Sequence, residues 1–387
     1  MSILSLISIK PIYLLLGFSF FMFCIQLYYY IFYYFEVAKK NHKKDNQHTN
    51  NLSLPPVSVI ICAKNEAENI KKFLPSILEQ DYPDFEVIIV NDGENVEMQT
   101  EIALLKEKYP NLKETFIPET AEVISRKKLA ITVGIKASKN EFLLFTDADC
   151  QADSKYWIQS MAKNFDNETE IVLGYGSYFT KNTFLSKLIS YDTLFICMQY
   201  MGFALKGHPY MGVGRNLAYR KSSFFNHKGF AGMLHLQSGD DDLFVSEVAN
   251  AHNTKVEISH QCKTSSIPKE TFKQWIIQRA RHLSTSYCYK KDTLKRIGFE
   301  VTSRGLFYIF TLLCFCTRDI LCLIALAMFL IRYATQFFII NSSAKALNER
   351  QFYLLIPIFD IIIPLINLTL LIHNKIFHKK NHIYKWK

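Results

Sequence analysis

The chain has 387 residues, of which 49% are hydrophobic, 21% charged and 14% aromatic. With 31 Phe and 21 Tyr against 14 Gly and 11 Pro, it is neither a disordered nor a collagen-like chain. Lys and Arg outnumber Asp and Glu by 45 to 35, and the excess gathers beside apolar segments, which argues against nucleic-acid binding. The first predicted element is a transmembrane helix within residues 1–37. Residues 11–35 carry no charge, and at 1.5 Å per residue they make a helix of about 37 Å, enough for a ~30 Å hydrocarbon layer. It ends in an aromatic belt, Tyr28-Tyr29-Tyr30-Ile31-Phe32-Tyr33-Tyr34, followed by Lys39, Lys40, Lys43 and Lys44. The apolar run is too long for a signal peptide and its charge lies on the wrong flank, so a retained span with the amino terminus outside is expected.

A polar, basic linker over 38–54 leads into a different pattern from Pro55 onward. Val57-Ser58-Val59-Ile60-Ile61-Cys62 reads as a strand, 67–80 as a helix, and Phe85-Glu86-Val87-Ile88-Ile89-Val90 as a second strand. Helices follow over 97–109 and 129–137, then a strand over 141–146. This alternation predicts an α/β fold over residues 55–290, with a mostly parallel central sheet covered by helices on both faces. In such sheets ligands bind beyond the carboxyl ends of the strands. Here those ends carry Lys64-Asn65-Glu66, Asn91-Asp92-Gly93 and Asp147-Ala148-Asp149. The first turn has no glycine and two nearby carboxylates, which excludes an NAD or FAD site.

Beyond this domain, residues 291–376 hold the second apolar region. Residues 305–340 are apolar except Arg318, Asp319 and Arg332, and residues 351–372 except Asp360, with Pro357 and Pro364 as expected kinks. An interfacial helix over 306–316, a span over 320–340 and a last span over 351–372 are expected, a third carboxyl-side span staying open. That count keeps the basic tail, 377–387 with Lys379, Lys380, Lys385 and Lys387, on the cytosolic side. Asp360 reads equally as a packed group or a functional one. The nine cysteines form no CxxC pair, so reduced, packed thiols are expected.

Two aspartates at alternate positions after a buried strand, Asp147 and Asp149, suit a hard cation, Mg²⁺ or Mn²⁺, that would bind a diphosphate. A solvated turn is the plain alternative. Asp92 could accept hydrogen bonds from a nucleotide or be a turn residue; Glu66 could serve the site or only the helix dipole. Lys127 could balance a diphosphate or sit on a solvated face with Lys128. Asp240, Asp241 and Asp242 crowd three carboxylates together, which raises pKa and makes a general base of one of them; an acidic helix start is the alternative. Gln274 to His282 reads as a basic, aromatic helix for a membrane surface, for diphosphate, or for both.

Taken together these residues resemble the family 2 glycosyltransferases with the GT-A nucleotide-diphospho-sugar transferase fold, in the membrane-bound branch with cellulose, chitin and hyaluronan synthases. Lys64-Asn65-Glu66, Asp92, Lys127 with Ala130 and Ile131, and Asp147 with Asp149 look like the family's nucleotide and DxD elements. Gly239-Asp240-Asp241 looks like its GDD or TED element, implying Asp241 as base with Asp240 as the alternative. Gln278, Arg279, Ala280, Arg281 and His282 match QxxRW, with His282 in place of tryptophan. Gly212-Val213-Gly214-Arg215-Asn216 falls where the family has an acceptor-side loop.

The resemblance implies metal-assisted, inverting transfer from a nucleotide-diphosphate sugar, a UDP-sugar first, to a lipid-linked or growing glycan acceptor. Glu66, Asp92, Lys127, Asp147, Gln278, Arg281 and His282 would line the donor site, and Asp149 with Asp147 would hold the metal. It also implies a plasma-membrane or bacterial inner-membrane protein with a cytosolic catalytic domain, and leaves self-association open. A processive synthase that exports its product, and a silent sugar-nucleotide-binding protein on the same fold, are the rival readings.

Overall fold

The computed structural model describes residues 11–42 and 54–377; the lysines at 43 and 44 and the basic tail lie outside them. Helix α1 (Pro11–Tyr28) passes through a π-helical turn, Tyr29–Tyr34, into α2 (Phe35–His42). The domain then builds β1 (Val57–Ala63), α3 (Ala67–Leu78), β2 (Phe85–Asp92), α4 (Val96–Lys108), β3 (Leu112–Ile117), α5 (Arg126–Ala137) and β4 (Phe142–Asp147). These four strands are parallel, in the order β3-β2-β1-β4. Next come β5 (Cys150–Ala152), α6 (Trp157–Ala162), β6 (Ile171–Leu173), β7 (Gly176–Tyr178), α7 (Phe184–Leu205), β8 (Leu217–Arg220), α8 (Lys221–Asn226) and α9 (Asp242–Val248). The chain continues through β9 (Thr254–Val256), β10 (Thr264–Ser266) and α10 (Phe272–Leu283) to three long helices, α11 (Lys291–Cys316), α12 (Cys322–Ala346) and α13 (Leu355–Phe377).

Strand β8 joins β4 antiparallel and extends the sheet to β6 and β9, while β5, β10 and β7 form a second, small sheet. The period of two in β1 and β2 sorts their side chains onto opposite faces. Ile60 and Ile88 pack with α5 in one core, and Val59, Ile61, Val87 and Ile89 pack with α3 and α4 in the other. Burial on both faces explains the continuous apolar runs. The carboxyl edge of β2, β1 and β4 therefore presents the polar loops, as expected. All nine cysteines are free thiols.

Among the described residues, five helical stretches are long and apolar enough to cross a membrane: Pro11–Lys40, Phe184–Leu205, Lys291–Cys316, Cys322–Ala346 and Leu355–His373. Of these, α7 was not foreseen, and it packs mostly inside the domain. Residues 306–316 are not a separate interfacial helix. They are the second half of α11, which lies antiparallel beside α1: Ser19 meets Thr311 at 3.0 Å, Phe18 stacks on Phe310, and Gln26 donates to Ser303 at 2.9 Å. The hairpin with α12 turns at Arg318 and Asp319, so the 36-residue apolar run divides between two helices. Charge hid this, because α11 begins in the polar segment before Gly305.

The aromatic belt also differs from expectation. Tyr29, Tyr30, Tyr33 and Tyr34 are buried in protein. Tyr33 packs on Phe203 of α7, and Tyr30 accepts a hydrogen bond from Gln336 of α12 at 2.8 Å. Inside the helical group, Asp360 of α13 receives Arg332 at 2.8 Å, Arg304 at 3.3 Å and the Tyr308 hydroxyl at 2.6 Å, and Arg304 also pairs with Glu300. Asp360 is thus a packed group. Pairing is what allows these charges to be buried. Pro364 lies inside α13, and Pro357 in its first turn.

Candidate active site

The turn after β1 places Asn65 in the left-handed region (φ 55°) where a dinucleotide fold would use glycine, and Glu66 stands at the amino-terminal boundary of α3 without a side-chain capping bond. Burial, opposed by a hydrogen bond from Asn69 and reinforced by Asp149, raises the Glu66 pKa. At the end of β2, Asp92 is buried and held by Arg126, whose Nε lies 2.7 Å from its Oδ1, while Lys64 stands 4.0 Å from its other oxygen. Arg126 and Lys127 open α5, whose amino-terminal cap is Ser125. One helical turn therefore aims a guanidinium at Asp92 and an ammonium at the next two loops.

Lys127 is the link between those loops. Its Nζ lies 3.1 Å from Asp147 at the end of β4 and 3.4 Å from Asp240 ahead of α9. Burial opposes its charge, but Asp147, Asp240 and Asp241 raise its pKa well above the ordinary value, so it stays an ammonium. In return, burial pushes Asp147 up while Lys127 holds it below the usual carboxylate range. Asp149, enclosed and next to Asp147, is shifted upward.

Asp147, Asp149 and Cys150 bring one ligand atom each within 4.8 Å of one another. Two carboxylate oxygens fit Mg²⁺ or Mn²⁺. The Cys150 sulfur does not, because it is a soft ligand mismatched to a hard cation, and burial raises the thiol's pKa.

The acidic loop before α9 is anchored by Lys128, which is not on the solvated face that the sequence left open for it. Lys128 is buried, and its Nζ donates to the carbonyls of Met233, Leu236 and Ser238 at 2.8, 2.7 and 2.8 Å. Gly239 follows at φ 98°, a conformation that suits glycine, and delivers Asp240 and Asp241. Asp241 accepts from the Gly214 amide at 2.7 Å and from the Asp242 amide at 2.8 Å. Burial first, then Asp240 and Asp242, push its carboxyl up to about 7. Asp242 instead turns inward and is tied by Thr285 at 2.9 Å and Tyr289 at 2.8 Å.

Asp241 stands at the head of a cavity of about 450 Å³, within the ~300–1,000 Å³ range of small-molecule sites. Gln278 and His282 of α10 line it, and Gln278 donates to the Tyr178 hydroxyl at 3.1 Å. Enclosure, then Arg281, Arg279 and Arg215, holds the His282 imidazole well below its ordinary pKa. Arg281 is close enough to influence both Lys127 and Asp147. Arg215 was read only as part of a loop. Its guanidinium lies over the Tyr178 ring at 4.0 Å, and its charge lowers the pKa of both Asp147 and Asp149.

Every expected site residue thus belongs to the carboxyl edge of the sheet or to α10. Asp147, Lys127, Asp240 and Asp241 line one small cleft, and Asp92 joins them through the first turn of α5. Arg126, Lys128 and Arg215 are the additions. An Arg-Lys-Lys run opening a helix was the available signal for the first two.

Residues 58–227 match the family model described as Glycosyl transferase family 2. This segment is a family 2 glycosyltransferase domain. Over 148 residues the chain is 30% identical to poly-beta-1,6-N-acetyl-D-glucosamine synthase of Staphylococcus epidermidis, covering 37% of this chain and 34% of that protein. It is 34% identical over 109 residues to glycosyltransferase AglE of Haloferax volcanii, covering 28% and 34%. The matched region thus spans about a third of the length of these relatives.

Among solved structures, the mannosyltransferase PcManGT from Pyrobaculum calidifontis, in complex with GDP-Man and Mn²⁺, superposes with a TM-score of 0.61. The identity is 16%, over 95% of this chain and 100% of that one. The likeness is one of fold. It spans the glycosyltransferase domain and its long helices together. Asp240, Asp241 and the α10 residues lie beyond the family match, and their place in the site rests on geometry.

Proposed function

We propose that the chain is a membrane-bound inverting glycosyltransferase that uses a nucleotide-diphosphate sugar, a UDP-sugar first. The observation that carries this is Lys127, which ties the paired aspartates after β4 to the acidic loop before α9, with Asp241 facing the cavity beyond. Asp149 and Asp147 would hold Mg²⁺ or Mn²⁺, which when bound neutralises charge on the leaving diphosphate. Glu66, and Asp92 through the Arg126 it holds, would serve the nucleotide side, and Lys127, Arg281, Gln278 and His282 the diphosphate and sugar side.

Asp241, not Asp240, is the base. Asp240 is engaged by Lys127, whereas Asp241 faces the cavity with a carboxyl that titrates near neutrality, where a base works best. Asp241 takes the acceptor's hydroxyl proton as that oxygen forms a bond to the anomeric carbon. The bond from that carbon to the phosphate oxygen breaks, its electron pair leaving with the nucleoside diphosphate. One displacement inverts the anomeric centre and leaves no sugar on the enzyme. Lys127 and Arg281 offset the charge that develops on the leaving group.

In the membrane, α1, α11 and α12 cross side by side. Helix α13 is itself apolar enough to cross, and it also touches the domain, with Phe359 on Phe184 and Asn367 accepting from Arg279 at 3.0 Å. With the amino terminus outside, an odd number of crossings would keep the basic tail on the domain's cytosolic side.

The test is a donor screen on detergent-solubilised full-length protein with Mn²⁺ or Mg²⁺, reading released nucleoside diphosphate. One donor should be turned over, and Asp149→Asn should sharply reduce the release at the same metal concentration. Release that persists undiminished in Asp149→Asn refutes the site.

A further inference from the structure

The cavity headed by Asp241 changes character along its length. Near Asp241 it is walled by Arg215, Gln278 and His282. Farther out it is walled by Ile297 of α11 and by Ile363 and Pro364 of α13. Its outer rim is Leu294, Gly298, Val301, Leu368 and Leu371, none charged and all exposed. The rim belongs to two of the helices apolar enough to meet a bilayer. Lys291, Lys295 and Arg296 on the first turns of α11 mark headgroup depth. The mouth therefore opens sideways at the boundary between headgroups and acyl chains, not toward water.

Two observations narrow the occupant. The arginines of the outer half are already engaged: Arg279 with Asp192 at 3.0 Å and with Asn367, Arg304 with Glu300 and Asp360. A phosphate seated inside that half of the cavity would have to displace one of these buried partners. The space between α1, α11 and α12 is filled by Arg332, Gln26 and Gln336, hydrogen-bonded to one another and to Asp360 and Tyr30. A growing glycan has no route through that bundle.

Resting on the transferase reading above, we infer that the acceptor is a membrane lipid with an uncharged, hydroxyl-bearing headgroup, which enters between α11 and α13 and presents its hydroxyl to Asp241. The tail stays in the apolar half and the bilayer. The sugar is added once, and the product leaves by the same lateral mouth.

The experiment uses full-length protein in phosphatidylcholine vesicles with the labelled donor found in the screen. Separate arms contain dioleoylglycerol, dodecyl glucoside, a polyprenyl phosphate, or a water-soluble oligosaccharide. Label should move to the organic phase with a hydroxyl lipid, as a single product. A Cβ added at Gly298 meets nothing within 4 Å, so Gly298→Trp places an indole at the mouth with open space at its root. It should cut transfer to lipid roughly tenfold or more while donor hydrolysis to water stays unchanged. Label found only on the polyprenyl phosphate, or only as a ladder on the soluble oligosaccharide, overturns the inference. So does donor hydrolysis without transfer to either hydroxyl lipid, or full lipid transfer by Gly298→Trp. No nucleoside diphosphate from any donor in any arm sinks the transferase reading itself.

Discussion

Asp241→Asn should inactivate the protein and, above neutral pH, stabilise it. In the folded chain the Asp241 carboxyl titrates near 7 against an ordinary 3.8, because it is enclosed and faces Asp240 and Asp242. A raised folded-state pKa means stability is full below the unfolded value and is lost as pH rises through 7. At 1.36 kcal/mol per unit, the shift corresponds to at most about 4 kcal/mol above pH 7, reduced where cavity water screens the charge. Asparagine carries no charge to bury and can still accept from the Gly214 amide. Its other side-chain atom would become a donor facing the Asp242 amide, which costs about 1–3 kcal/mol.

The net change is therefore a gain of about 1–3 kcal/mol at roughly pH 8.5. It should shrink by about 2–3 kcal/mol at roughly pH 5, where the wild-type group is already protonated in the fold. Thermal unfolding of the solubilised full chain at both values measures it, with nucleoside diphosphate release as the activity readout. Loss of the base should cost about 10²–10⁴ in rate. An equal stability change at both pH values would refute the electrostatic account. Retained activity would refute the role.

Four further outcomes follow from the same geometry. Wild-type kcat/KM should climb with pH and level off above about 7 as Asp241 ionises, and a profile flat from acid to neutral pH would contradict this. A chelator should abolish nucleotide release, and Mn²⁺ or Mg²⁺ should restore it, with Asp149→Asn raising the metal concentration needed. Lys128→Met strands one buried and two half-buried carbonyls, so it should lower stability by about 2–4 kcal/mol and speed hydrogen exchange over residues 233–238. Asp360→Ala leaves buried Arg332 without its carboxylate and Arg304 with Glu300 alone, and should cost about 3–5 kcal/mol in unfolding experiments.

What could be read in the sequence followed burial. Strands β1, β2 and β4 are covered on both faces, so their apolar runs were continuous and their ends located the acidic loops. Strand β3 escaped notice because only Leu112 and Ile117 of its six residues are buried. Helix α7 was hidden because Lys187 and Asp192 interrupt its apolar surface, and Asp192 is answered by Arg279, far along the chain. The same effect shifted the membrane segments. Glu300, Arg304, Arg332 and Asp360 look like interruptions one at a time, and only folding brings them together as a neutral group. Residues that supply the reacting groups stood out by type and spacing. Residues that hold them, such as Arg126 and Lys128, act through contacts more than thirty positions away.

Because α11 and α13 supply one wall of the cavity under Asp241, the chain has no severable catalytic half. A fragment stopping before Lys291 would keep the donor loops and lose the hydrocarbon-facing side of its acceptor chamber, becoming a hydrolase at best. The bilayer is then less an anchor than a reagent shelf: what the protein can modify is set by what diffuses past its flank in two dimensions, and lipid composition would govern its turnover as directly as the supply of sugar nucleotide.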